Sequence, residues 1–162
     1  MPLKRHRGFS LTEVLVSLVV LSIGLLGLAG LQVTSLRSNH SAYLRAVAVV
    51  LTYDMADRMR ANRVGVDAGH YDEPAAIEHA DCMSAAGCSV RAMAEHDAYE
   101  WTQAIADQLP GGQGIVCIDS TPDDGTPGNP GCDGSGTLYA IKLWWDDDRS
   151  GNLTRFATGL RP

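Results

Sequence analysis

Between Val14 and Leu31 the chain runs for 18 residues without a charged side chain. As a helix rising about 1.5 Å per residue, that stretch spans roughly 27 Å, close to the apolar thickness of a bilayer. Such a segment must lie in lipid or be packed among apolar partners. Lys4, Arg5 and Arg7 precede it, and basic residues stay on the cytoplasmic side of a membrane. The N-terminus is therefore expected inside, with Gln32 onward outside. One residue conflicts with this simple picture. Glu13 stands at the mouth of the run, where a carboxylate entering lipid costs several kcal/mol unless it finds a partner.

A cleaved secretory signal opens in a similar way, and Gly27-Leu28-Ala29 offers small residues for such a cut. The helical pattern nevertheless continues past Leu31. Leu44, Val47, Ala48, Leu51, Met55 and Met59 recur at three- and four-residue steps, as on one face of a helix. Asp54, Asp57, Arg58 and Arg60 fall mostly on the other side. One helix is expected from near Ser10 to about Asn62, apolar all round in its first half and amphipathic in its second. Gly24, Gly27 and Gly30 recur every third residue, which is not the four-residue spacing of a helix-dimer motif.

Beyond Val64 the chain is rich in Gly, Pro and Asp and can bury only a small core. The net charge is −6, and loss of residues 1–8 would leave 10 basic against 19 acidic residues. That surface is poorly suited to phosphate, so nucleic acid is not expected as a partner. Cys82, Cys88, Cys117 and Cys132 all follow the apolar run. An even count in a small exported domain points to disulfides. Three pairings are possible, and the local ones, Cys82–Cys88 and Cys117–Cys132, are expected because each closes a Gly-rich loop. Neither spacing suits zinc.

Ser89 can cap a second helix, with Val90, Met93, Ala94, Ala98, Trp101, Ile105 and Leu109 on its apolar face and Pro110-Gly111-Gly112 at its end. Strand signals follow at 114–119, 138–145 and 153–158, with a long loop at 120–136. Three antiparallel strands beside the back half of a long helix make an α+β fold. Trp144 and Trp145 alternate along a strand, so one is expected in the core and the other at a partner interface. Asp146-Asp147-Asp148 and the group Asp119, Asp123, Asp124 and Asp133 are read as solvated turns rather than calcium ligands. His40, His70, His79 and His96 lack metal spacing, and His6 belongs to the basic leader. No nucleophile–base pattern or phosphate loop is present, so no catalytic residue, metal or cofactor is expected.

The stretch Arg7-Gly8-Phe9-Ser10-Leu11-Thr12-Glu13-Val14-Leu15 resembles the start of type IV pilins and type II secretion pseudopilins. The resemblance covers residues 4 to about 62. It implies a leader, residues 1–8, cut between Gly8 and Phe9 by a prepilin peptidase, and N-methylation of Phe9. It implies a membrane or fibre-core segment, residues 9–31, and a periplasmic pilin domain, residues 32–162, folded as a pilin-like roll. Glu13 would then meet the Phe9 amine of a neighbouring subunit, each charge compensating the other and fixing register.

A narrower resemblance, to the PilV group of minor pilins, rests on Met55 to Asn62, on Trp101-Thr102 to Leu109-Pro110-Gly111, on the disulfide-type loop and on Tyr139 to Asp146. It implies a subunit of a priming complex at the inner membrane, with other minor pilins, the major pilin and a tip adhesin as partners, supporting adhesion and twitching motility. The alternatives are a type II secretion pseudopilin and a membrane-anchored periplasmic receptor or enzyme.

Overall fold

The computed structural model describes residues 8–161. The order of elements is α1 (Leu11–Ala61), α2 (Arg63–Asp67), a 3-10 turn (Ala80–Met83), α3 (Val90–Gln108), β1 (Gln113–Ile118), β2 (Tyr139–Asp146) and β3 (Leu153–Leu160). The chain divides after His40 into two compact units.

In the first unit α1 is exposed on all sides, and it is the one described helix long and apolar enough to cross a membrane. Three of its hydroxyls are spent on its own backbone. Ser17, Ser22 and Thr34 donate to the carbonyls of Val14, Leu18 and Gly30 at 2.8, 2.7 and 3.1 Å. That arrangement leaves these side chains compatible with an apolar surround.

In the second unit the remainder of α1 carries the expected stripe. Leu44, Ala48, Leu51, Met55, Ala56 and Met59 are buried in one cluster with Trp101 and Ile105 of α3 and Val116, Ile141, Leu143 and Trp145 of the sheet. Trp101 anchors it, 1% exposed, with its indole N–H donating to the Leu51 carbonyl at 2.8 Å. Ser89 caps α3 by accepting from the Ala92 N–H at 3.1 Å, and the helix stops before Pro110, with Gly111 at φ +60. Val90 departs from the expected face and is 39% exposed, because it lies in the first turn, at the rim of the packing. The long helix ends one residue early because Asn62 caps a further turn, α2, accepting from the Gly65 N–H at 3.3 Å.

The sheet is antiparallel in the order β1-β2-β3. The first two strands lie within a residue of the expected bounds, and β3 runs two residues further, to Leu160. Gly114 permits the close contact of β1 with α3. A Cβ there would come within 2.5 Å of Ile105 and 2.7 Å of Trp101.

Arg58 corrects the expected solvent side of α1. It is half-buried and reaches across to α3, donating to Glu100 at 2.6 Å and Asp97 at 3.3 Å, as well as to Asp54 at 2.9 Å. The Tyr71 hydroxyl donates to the other Asp97 oxygen. The hydrogen bond from Arg58 holds the Glu100 carboxyl below its ordinary value of 4.5. The folded state therefore binds a proton at Glu100 less readily than the unfolded chain, so this stabilisation is complete above the ordinary value and is lost as pH falls through the lowered one.

Two measurements check this packing. Trp101→Ala should lose about 3–5 kcal/mol in denaturant unfolding of the full chain, whereas Tyr53→Ala, on the exposed face, should stay within about 0.5 kcal/mol. In Arg58→Met, the loss of stability on acidification from pH 6 to 3 should be shallower than in the parent, measured by the same unfolding at each pH.

Candidate functional site

Gly8, Phe9 and Ser10 precede the first turn of α1 in non-helical, exposed backbone. Phe9 is 84% exposed. The Ser10 carbonyl starts the helix by accepting from Glu13 and Val14 at 3.1 and 3.2 Å, and its hydroxyl pairs with that of Thr12 at 2.7 Å. Glu13 lies exposed in this first turn, where the helix N-terminus favours a negative charge. The Gly8–Phe9 bond is thus sterically open, and a Cβ on Gly8 would meet nothing within 4 Å. Among the described residues, no packing requires glycine at that position. The same holds for Gly24, Gly27 and Gly30. The expected leader residues Lys4, Arg5, His6 and Arg7 lie outside the described residues.

The second constellation is on the sheet. Its inner face carries Val116, Ile141, Leu143 and Trp145 in the core. The register places Cys117, Ala140, Lys142, Trp144 and Arg155 on the opposite face. The loop after β1 crosses that face and is fastened to each strand. On β1, Cys117 bonds Cys132, and the Ile118 carbonyl accepts from Gly134 at 3.0 Å. On β2, Lys142 Nζ contacts Asp119 at 2.5 Å and donates to Asp124 at 2.7 Å and to the Pro130 carbonyl at 2.8 Å. On β3, Arg155 donates to Asp123 at 2.9 Å and to the Gly125 carbonyl at 3.1 Å. Gly125 has φ +80, and a Cβ there would overlap the Pro130 carbonyl. Burial alone would lower the Lys142 pKa, but the contacts and charges of Asp119 and Asp124 outweigh it and hold it above its ordinary value.

This covering corrects the expectation for the tryptophans. Trp145 is in the core, but Trp144 is not left for a partner; it is 3% exposed beneath the chain's own loop. The acidic residues have protein donors. Asp119 accepts from Thr121, Asp133 from Ser120 and Ser135, Asp148 from Ser150, and Asp146 from Gly151. Asp147 receives the Ser41 hydroxyl at 2.5 Å and the Trp145 indole at 3.0 Å, joining the β2–β3 turn to α1. Among the described residues no group of three His, Cys, Asp or Glu side chains is placed to hold a metal. The remaining cysteines, Cys82 and Cys88, close the small loop before α3 with Cα atoms 4.7 Å apart.

Two family models match the chain. The prokaryotic N-terminal methylation motif covers residues 3–29, and the type IV pilin Tt1218 family covers residues 30–99. Together they run without a gap over more than half of the 162 residues. Residues 3–99 carry the signature of type IV pilins. No curated protein and no solved structure matches it. Members of this family are structural subunits, which places the methylation motif and the apolar half of α1 in membrane anchoring and assembly with other pilins.

The pilin match ends at residue 99, before the sheet and its loop. Neither family model therefore marks Lys142, Arg155 or their carboxylate partners. A lysine inside an apolar strand, YAIKLWW, was the available signal, since a buried cation requires a partner.

The two disulfides should differ in effect. Replacing Cys117 and Cys132 by serine should cost about 3 kcal/mol and replacing Cys82 and Cys88 about 2 kcal/mol, because the larger loop restrains more of the unfolded chain. Denaturant unfolding of the two double variants checks the order.

Proposed function

We propose that this chain is a minor pilin of the PilV type. In this reading it is anchored in the inner membrane with its N-terminus cytoplasmic. Prepilin peptidase cuts it between Gly8 and Phe9, and Phe9 is N-methylated. The chain then joins other minor pilins to prime pilus assembly at or near the fibre tip. The observation that carries the reading is the exposed Gly8–Phe9 bond leading directly into an apolar helix whose first turn holds the lone acid, Glu13. Cutting that bond creates an amine at the end of the helix, the charge complement that Glu13 needs in an apolar assembly.

The globular unit carries the partner contacts in this reading. Its partners are other minor pilins, the major pilin and a tip adhesin, which connects the subunit to adhesion and twitching motility. The acidic excess of the chain disfavours a nucleic-acid role. The second reading, a type II secretion pseudopilin, shares the same N-terminus and anchor. Loss of protein secretion with twitching intact in a deletion strain would support it instead.

Glu13→Val tests the pairing role. The variant should be processed to the parental size and remain in the membrane, yet be depleted from sheared pili by about tenfold or more, the change expected for a lost interaction of about 1.4 kcal/mol or more. Incorporation at the parental level, measured by immunoblot of sheared fibres, would count against the pairing.

A further inference from the structure

Lys142 is a fully buried cation held against two carboxylates of one loop. Its Nζ lies 2.5 Å from Asp119 Oδ2, and both side chains are 0% exposed. This contact lacks hydrogen-bond angles. Asp119 Oδ2 receives no hydrogen bond, while Oδ1 accepts from the Thr121 N–H at 2.9 Å. Nζ donates elsewhere, to Asp124 Oδ1 at 2.7 Å and the Pro130 carbonyl at 2.8 Å. Nζ is thus engaged by Asp124 and Pro130, and the Asp119 carboxylate lies in direct contact with it. Asp124 is different in kind, because its side chain is 46% exposed and it can exchange protons with solvent.

We propose that Lys142 and Asp119 condense to an intramolecular amide, Nζ to Cγ, with Asp124 relaying the proton. The ammonium first passes one proton to the Asp119 carboxylate across their contact. Net charge is unchanged by that step; Asp119 and Asp124 favour the ammonium, so the neutral pair is the minor, reactive form. The amine lone pair then attacks Cγ. Asp124 takes a proton from the attacking nitrogen and delivers it to the departing hydroxyl. The C–O bond breaks, one water leaves, and a secondary amide remains. No oxidant, metal or cofactor enters the balance. The fold supplies the two requirements of such a condensation: reacting groups already in contact and little water to reverse it. The product would fasten the loop covalently to β2, as Cys117–Cys132 fastens it to β1, and would survive reduction. This inference does not rest on the assembly role.

The test uses the full chain extracted in detergent, then reduced, denatured and analysed by mass spectrometry. The intact parent should be lighter than its calculated mass by one water. Trypsin should fail to cut after Lys142, giving a 92–149 peptide that lacks one water, since no other Lys or Arg lies between Arg91 and Arg149. Asp119→Ala should restore both the mass and the cut. Asp124→Asn, a substitution at a half-exposed position, should keep the fold and leave most chains uncondensed. Normal cleavage after Lys142 in the parent would overturn the proposal, with or without a missing water, because dehydration at another residue leaves Lys142 free. Full condensation in Asp124→Asn would overturn the relay.

Discussion

The stripe Leu44, Ala48, Leu51, Met55 and Met59 is the constraint on which the globular unit depends. The residues after Asn62 are rich in turns and can bury only a small core, and this face of α1 supplies one wall of it. Trp101 closes the opposite wall, and its hydrogen bond to the Leu51 carbonyl fixes α3 at one height along α1. Gly114 then sets how closely β1 approaches α3. Removing the stripe would leave the inner sheet face covered chiefly by α3. Upstream of Ser41 the described residues of the same helix are exposed, an apolar surface of the kind that lipid or other subunits cover.

The outer sheet face poses a different problem. A loop of Gly, Pro, Asp and Ser has little apolar surface with which to bind a sheet. It is held instead by a disulfide, a buried cation and an arginine, one on each strand. Asp119, Asp123 and Asp124 are consumed in that fastening. Loop residues with high conformational entropy are thereby ordered at a cost that the Lys142 and Arg155 contacts must offset.

Periodicity alone revealed most of the scaffold. The α1 stripe, the Ser89 cap and the three strands were legible because each follows from local rules of spacing and capping, which the fold obeys within a residue or two. What the sequence concealed was long-range. Arg58 looked like a solvated residue, since its partners Asp97 and Glu100 lie on another helix. Trp144 looked free because alternation assigns a residue to a face without saying what covers that face. Lys142 was visible as an anomaly, but its carboxylates lie across a turn-rich loop whose path no local pattern encodes. The N-terminal motif was legible for the opposite reason. It is a contiguous local pattern, and among the described residues a Cβ on Gly8 would meet nothing within 4 Å and Phe9 is exposed.

The type IV pilin match and the chemistry of Glu13 converge on one proposed event, the exposure of an amine at Phe9. Before it, Glu13 is a carboxylate at the edge of an apolar segment; in the proposed assembly, each subunit would then carry both halves of an intersubunit pair. The most direct measurement is the N-terminal peptide of the chain recovered from membranes and from sheared pili, sequenced by mass spectrometry. A first residue of N-methylated Phe9 in both fractions is the predicted result. An intact Gly8–Phe9 bond in the membrane form of a strain with active prepilin peptidase would contradict it.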